Sequence, residues 1–371
     1  MSRIILCGVN LTGMGGLACF QEALSSLARR ACGDGPEIIA LVHKAELFDI
    51  PGVRFVGYPA VKASWLRRLK FEYLDLWRIS KDLNADIWIS MHDISPRVQA
   101  RRQIVYCHNP APFYRLRFQD AAYDWSFGLF ALLYRFLYGI NIRSNAAVIV
   151  QQEWLREEFK RRYRPRMVIV AHPDGDKAAT AVSRPDWGGP SGRPYRFFYP
   201  SYPRVFKNFE VVLDAVRVLE QRGHRDFEVA LTLEKGINRF TRHLWKRYGD
   251  LQNVRWLGLI KREEVLRRYE TTDCLLFPSR LETWGFPISE FRPWGKPILA
   301  ADLPYAHETI GDYEQAAFFS PSDAEELSRL MADAIEGKSV FKRVTAQPAA
   351  EPFAANWDEL WKLLLEEERK P

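Results

Sequence analysis

The chain has 371 residues, 47% of them apolar and 13% aromatic, too long for one ordinary core and suited to two domains. This composition excludes disorder, a coiled coil and a disulfide-stapled miniature, and no window offers the ~18 uncharged apolar residues of a membrane span. The formal charge is +7, and it is uneven: residues 1–190 carry 26 lysines and arginines against 18 aspartates and glutamates, the remainder 27 against 28. Nucleic acid, an anionic membrane face and phosphorylated substrates are all partners that such a first half would suit.

In chain order, the opening run Arg3-Ile4-Ile5-Leu6-Cys7 leads into a glycine-rich stretch, which suits a first buried strand better than a signal peptide. Further strands are expected at Ile38–Val42, Val53–Tyr58, Asp86–Met91, Gln103–His108, Ala147–Val150 and Val168–Ala171, with the first over Ile4–Val9. Helical periodicity marks Leu17–Arg30, Trp65–Leu83 and Glu153–Tyr163 between them. Residues 174–194 are rich in Gly, Pro, Ser and Asp without an apolar period and read as a linker.

The alternation restarts at Tyr195–Pro200 and continues through Phe227–Leu233, Val254–Leu257, Cys274–Pro278, Pro297–Ala301 and Ala316–Phe319. After the first of these, Asn208 is placed to cap a helix whose inner face is Phe209, Val212, Val216 and Leu219, with Gly223 to end it. The expected architecture is α/β, two Rossmann-like domains facing a cleft: residues 1–180, residues 181–350, and a C-terminal helix over 351–371 that packs back on the first domain. Five cysteines (Cys7, Cys19, Cys32, Cys107, Cys274) include no CxxC pair and read as reduced residues of a cytoplasmic protein.

The strongest local signal is Pro278-Ser279-Arg280-Leu281-Glu282-Thr283-Trp284-Gly285-Phe286-Pro287-Ile288-Ser289-Glu290. A buried strand runs into a loop, Gly285 permits close backbone approach, and Pro287 sits where a helix begins, with free amides and a positive dipole end. Glu282 in the loop and Glu290 in the first helical turn are placed to accept hydroxyl hydrogens from a ligand over that helix end. On spacing alone, a solvated loop carboxylate and a dipole-favouring glutamate are an equally good reading.

The run from Asn253 to Asp323 resembles the donor half of retaining GT-B glycosyltransferases of family four. The elements that carry the likeness are Arg255-Trp256-Leu257-Gly258, Tyr269, Pro278-Ser279, the Glu282-x7-Glu290 pair, Gly295-Lys296-Pro297, Ala301-Asp302 and Pro321-Ser322-Asp323, in that order. The resemblance implies that Glu290 binds ribose hydroxyls of a nucleotide-sugar and that Glu282 contacts the transferred sugar. It places the backbone of Trp284, Gly285, Phe286 and Pro287 near sugar and diphosphate. Trp284 stands where the family has a small residue, and Phe291-Arg292-Pro293-Trp294 replaces the family's small-residue run, which leaves the length of that helix open.

Four further elements join this reading. Arg204 and Lys207, in Tyr199-Pro200-Ser201-Tyr202-Pro203-Arg204-Val205-Phe206-Lys207, lie between a strand end and a helix start, where cations are unwelcome without an anion. The resemblance makes them neutralisers of the donor diphosphate, with Ser201 beside it. Gly15 and Gly16, in the turn after the first strand, suit either donor phosphates or an ordinary strand-to-helix turn. His108 and Asn109 follow a strand end, where α/β sites lie. By resemblance His108 approaches the donor sugar, while Asn109 and His92 are acceptor-side candidates.

The implied activity is transfer of a sugar from a nucleotide-diphosphate sugar, with retention, to a glycan or lipid-linked glycan acceptor in surface polysaccharide or O-antigen assembly. No metal and no cofactor beyond the nucleotide-sugar is implied. Asp174-Gly175-Asp176 spells a metal-binding DxD string but falls in the linker, where a turn is the ordinary explanation. A sugar-nucleotide epimerase and a non-catalytic nucleotide-sugar-binding partner are the rival readings. The basic helices around Arg67-Arg68-Leu69-Lys70 and Lys160-Arg161-Arg162 match no nucleic-acid module. Trp65–Phe71 and Phe127–Tyr138 instead mix aromatic, apolar and cationic residues, as segments do that lie peripherally on the anionic inner face of a membrane.

Overall fold

A computed structural model of the chain describes residues 2–12, 14–31, 35–173, 192–338 and 349–366. They form two compact units: residues 1–113, 131–174 and 349–371 make the first, residues 114–130 and 175–348 the second. The division differs from one at residue 180 in one way: residues 114–130 cluster with the second unit, so the boundary falls inside the helix Trp125–Leu137. The chain returns to the first unit at its end. Of the linker stretch, residues 174–191 lie outside the described residues, as do Gly13, Cys32 and the Asp174–Asp176 string.

In the first unit the strands are β1 (Arg3–Cys7), β2 (Glu37–Val42), β3 (Val53–Gly57), β4 (Ala85–Ser90), β5 (Ala100–Cys107), β6 (Ala147–Val150) and β7 (Val168–Ala171). The second unit has β8 (Tyr195–Tyr199), β9 (Phe227–Leu231), β10 (Val254–Trp256), β11 (Cys274–Phe277), β12 (Ile298–Ala301) and β13 (Ala316–Phe319), after which β14 (Phe353–Ala354) rejoins the first sheet. All the pairings are parallel, in the orders β14-β7-β6-β5-β4-β1-β2-β3 and β10-β9-β8-β11-β12-β13. Each sheet therefore reverses its winding at one place, between β1 and β4 in the first and between β8 and β11 in the second. Outside the carboxyl ends of strands at such a switch point is where open α/β sheets take ligands.

Parallel strands covered by helices on both faces must be apolar on both faces, and β1 shows it. Ile4 and Leu6 enter one core with Phe20, Leu24 and Leu27 of the helix Met14–Arg30, while Ile5 and Cys7 enter another with Phe71 and Leu76. Each fully buried side chain of this kind contributes about 1.5–3 kcal/mol. Three local expectations change. The helix over Trp65–Leu83 contains a π-turn at Phe71–Asp75, which sets Glu72 fully inside the unit. Asn208 does not cap the helix Phe209–Gln221 with its side chain; it takes a left-handed conformation (φ 57°) and its amide donates to the carbonyls of Pro278 and Pro321 at 3.0 and 2.8 Å. The helix at Pro287 runs only from Phe286 to Phe291 before a 3-10 turn at Arg292–Trp294, so Glu290 lies beyond its first turn.

The helix Trp357–Glu366 packs on Met14–Arg30, burying Trp357, Leu360, Trp361 and Leu364, with the Trp361 indole donating to the Ala23 carbonyl at 3.1 Å. Its approach is fixed by Arg156, 1% exposed on the helix Glu153–Tyr163, which donates to the carbonyls of Ala350 and Pro352, both at 2.6 Å. Charged donors of this kind contribute about 1.5–3 kcal/mol each. Replacing Arg156 with Met is expected to release β14: amide hydrogen exchange of residues 350–356 should accelerate at least tenfold, for about 1.4 kcal/mol lost. Unchanged protection there would refute the clamp.

Candidate active site

At the switch point of the second unit, β8 continues through Ser201 and Arg204 into a 3-10 turn, Val205–Lys207, and β11 continues through Ser279 to Glu282. One backbone bond joins the two loops, and a tyrosine hydroxyl holds each of them. The Arg280 amide donates to the Phe206 carbonyl (2.8 Å), Tyr199 donates its hydroxyl to the Lys207 carbonyl (2.8 Å), and Tyr305 donates to the Ser279 carbonyl (2.6 Å). Two side chains on otherwise independent loops are thereby brought together: Lys207 Nζ forms an ion pair with Glu282 Oε1, both largely shielded from solvent. The pair is a preorganised cation and carboxylate at the carboxyl edge of the sheet.

The other candidates of this unit are placed differently. Arg204 is about half exposed and pairs with Asp124 Oδ2 at 3.2 Å, its guanidinium 5.7 Å from the Tyr202 ring. Ser201 exchanges hydrogen bonds with Thr232, its amide donating to Oγ1 (2.7 Å) and its carbonyl accepting the hydroxyl (2.8 Å). Glu290 is only 6% exposed, held by Arg262 (2.6 Å) and by the Tyr269 hydroxyl (3.2 Å). Burial pushes its carboxyl above the usual range, and Arg262 and Tyr269 partly offset that. Trp284 turns inward, its indole donating to Ser289 Oγ at 2.8 Å, so the bulky ring is spent on the core. Gly285, at φ 92°, is required: a Cβ there would stand 3.2 Å from Phe277 and 3.4 Å from Ile288. Phe286 and Pro287 open the short helix.

In the first unit, the helix starts at Met14, so Gly15 and Gly16 lie inside its first turn. A Cβ on Gly16 would come 4.0 Å from His108 Nε2, which places this glycine directly beside the candidate histidine. His92, 1% exposed, is a core residue: Nδ1 contacts the Cys7 carbonyl (3.0 Å) and Nε2 contacts Glu72 (2.6 Å), so neither nitrogen is open to a ligand. The residue that organises this edge is its neighbour Asp93. In a left-handed conformation (φ 76°), Asp93 accepts from the amides of His108 (2.8 Å) and Asn109 (3.0 Å) and from the Tyr138 hydroxyl (3.0 Å). Asn109 Oδ1 is engaged with the Ala111 amide at 3.1 Å.

Sequence reasoning missed Glu72 and Arg262, and pointed to Asp93 only as the neighbour of His92 on the acceptor side. The His92-Asp93 dipeptide after a strand was visible, but which of the two side chains turns toward the loop depends on a positive φ. Nothing local marks Arg262, which reaches Glu290 from another helix. Among the described residues no three His, Cys, Asp or Glu side chains gather into a set that would hold a metal ion.

Two Rossmann-like units with these sheet orders have the GT-B fold, and the chain resembles the GT-B glycosyltransferases. Residues 181–349 match the family model of glycosyl transferases group 1. WaaG, a glycosyltransferase involved in lipopolysaccharide biosynthesis, superposes with a TM-score of 0.63 over 90% of each chain at 14% identity. Anabaena Alr3699/HepE in complex with UDP-glucose gives 0.57 over 91% of this chain and 90% of that one, at 14% identity. The O-antigen chain mannosyltransferase B of Escherichia coli is 23% identical over 41% of this chain and 40% of its own length. The chain thus matches less than half the length of such curated relatives.

Asp93→Ala is expected to destabilise the first unit by about 3 kcal/mol or more, since each of the two backbone amides loses a charged acceptor, about 1.5–3 kcal/mol apiece. Asp93→Asn, which keeps an acceptor oxygen, should lose less than half of that in denaturant titration. Equal losses in the two variants would show that the acceptor role is not what holds the loop.

Proposed function

We propose that the protein is a retaining glycosyltransferase that uses a nucleotide-diphosphate sugar and needs no metal. The observation that carries the reading is the Lys207–Glu282 pair at the switch point of the second sheet, within the stretch that matches the glycosyl transferase family. The donor diphosphate enters there and takes Lys207 from Glu282, because two phosphate charges outbid one carboxylate for a shielded ammonium. Glu282, freed of its ion pair, accepts hydrogen bonds from the transferred sugar.

As the bond from sugar to diphosphate breaks, negative charge grows on the leaving oxygen, and Lys207 stabilises it in a site that needs no reorganisation. Arg204, drawn from Asp124, adds a second cation. The acceptor hydroxyl attacks from the leaving-group face and gives its proton to the departing phosphate. Glu290 takes the ribose hydroxyls once Arg262, half exposed and easily displaced, swings aside. Gly15, Gly16, His108 and Asn109 are the first unit's own candidates for substrate contacts, Asn109 for the acceptor. A glycan or lipid-linked glycan, in surface polysaccharide or O-antigen assembly, is the acceptor class that fits the named relatives.

Removing one preorganised charge from a transition state costs about 10²–10³ in rate. Glu282→Gln and Lys207→Met should each lower release of nucleoside diphosphate by that factor with acceptor present, while leaving the melting temperature near that of the parent. Near-normal turnover in either variant would refute the site, and conversion of the donor without any acceptor would favour the epimerase. A thermal-shift panel of UDP, GDP and their sugars selects the donor for the assay.

A lipid-linked acceptor calls for a lipid-facing surface, and an exposed apolar face of the first unit supports that reading. Leu132, Leu133, Phe136 and Ile140 are exposed along one helix and its exit, Phe136 by 67%, and Trp65 lies edge-on to Tyr134 of that helix at 6.0 Å, beside Leu66 at 79%. Exposed Arg67, Lys70, Arg135 and Arg143 interleave with them, so the face suits an anionic bilayer, where each cation adds about 1 kcal/mol. No helix among the described residues is long and apolar enough to cross the membrane. At low salt the protein should sediment with vesicles containing phosphatidylglycerol and not with neutral ones, and Leu66→Glu with Phe136→Glu should abolish sedimentation. Failure to sediment, or dimerisation through this face instead, would exclude the membrane.

A further inference from the structure

The second unit contains a cavity of about 360 Å³ whose lining includes none of the candidate donor residues. It is bounded by the start of the helix Phe209–Gln221, by the helix Arg239–Tyr248, by the loop at Ser322, by Arg280, and by Arg117 and Tyr123 of the segment 114–130. Most of its charges are already matched. Arg117 is held by Asp120 through two contacts, at 2.8 and 3.2 Å, Arg247 reaches Asp214 at 3.3 Å, and the Tyr123 ring stacks on His243 with its hydroxyl 3.0 Å from Nδ1.

Two groups attract each other's charge, but each has an atom without a hydrogen bond. Arg280 Nη1 and Glu210 Oε2 are both buried without a hydrogen-bond partner. Such atoms cost about 1–3 kcal/mol each, and more when charged. Each is also in an uncomfortable state. Burial and the nearby Arg117 charge pull the Arg280 guanidinium down, partly offset by Glu210, and burial pushes the Glu210 carboxyl up, partly offset by Arg280 and Arg117. Both side chains line the cavity, so a ligand that offers an oxyanion to the rest of the guanidinium and a hydroxyl to the other carboxyl oxygen stabilises both at once.

A bare inorganic anion does not meet this demand, since Glu210 would repel it. A neutral sugar leaves the guanidinium unpaired. The stacked Tyr123 and His243 rings add a flat wall against which the C–H face of a pyranose packs. The volume lies at the low end for small-molecule sites, enough for one sugar unit with its charged group and too little for a whole nucleotide-sugar. We propose that this cavity binds an anionic saccharide, Arg280 gripping its phosphate or carboxylate and Glu210 accepting a hydroxyl hydrogen. The inference is independent of the proposed transfer reaction, because it concerns other side chains and is read by binding alone.

Isothermal titration of the whole chain with glucose 1-phosphate, glucuronate, glucose and inorganic phosphate, with and without excess UDP or GDP, tests it. One of the two anionic sugars should bind saturably at one site, tighter than glucose or phosphate, and the nucleotides should not displace it. Which one binds separates a phosphate from a carboxylate source. Arg280→Gln should weaken that binding at least tenfold, about 1.4 kcal/mol. Glu210→Gln should weaken the sugar while leaving inorganic phosphate no weaker. Thermal melting of both variants identifies folded protein, and loss of sugar binding in a variant that melts normally supports the site. The proposal is overturned if neither anionic sugar binds the parent chain, if both variants bind it as the parent does, or if a nucleotide competes with it.

Discussion

Parallel strands cannot be joined by tight turns; each connection must cross back over the sheet, and the crossover has one hand. A chain that builds a sheet outward from its first strand and then outward again on the other side must send consecutive helices to opposite faces. The loops at that reversal diverge and leave an opening. Both units obey this constraint, with β1 and β4 flanking one opening and β8 and β11 the other. The candidate groups His108, Asp93, Lys207 and Glu282 all sit on loops that follow strand carboxyl ends, and the constraint explains why none needed a special scaffold.

Within that frame, electrostatics is managed by pairing. Lys207 has Glu282, Arg204 has Asp124, Glu290 has Arg262, and the buried His92 has Glu72. Each cation that the proposed chemistry would turn toward an anion is already held by a carboxylate, which limits the cost of a charged side chain in a shielded place. Exchange of one anion for another is then a smaller change than capture of a charge from water. The same logic singles out Arg280 and Glu210, which attract each other's charge but each keep a buried atom without a hydrogen bond.

Much of the fold was legible. β6, β7 and β13 fall on the residues that periodicity marked, and most other strand ends shift by one to three residues, because buried parallel strands are continuous apolar runs bounded by turn residues. The pairing of Lys207 with Glu282 rests on loops 75 residues apart, so it follows from topology and not from spacing. The inward turn of Trp284, the burial of His92 and the role of Asp93 depend on single backbone angles or on neighbours distant in sequence. β14 was invisible for a different reason: two residues beside a proline carry no period at all. The unit boundary within Trp125–Leu137 was equally hidden, since a continuous helix gives no compositional break.

The clamp of Arg156 on the carbonyls of residues 350 and 352 has a consequence for the order of synthesis. Domains generally fold as they emerge, N-terminal first. Here the first unit lacks its edge strand and the cover that Trp357 and Trp361 supply until the entire second unit has been made. On the ribosome the first sheet therefore waits with one border unpaired and one helix-binding face bare, a state that chaperones recognise. Its completion signals that the chain has been translated through the second unit, so full compactness of the first half reports on the integrity of the second.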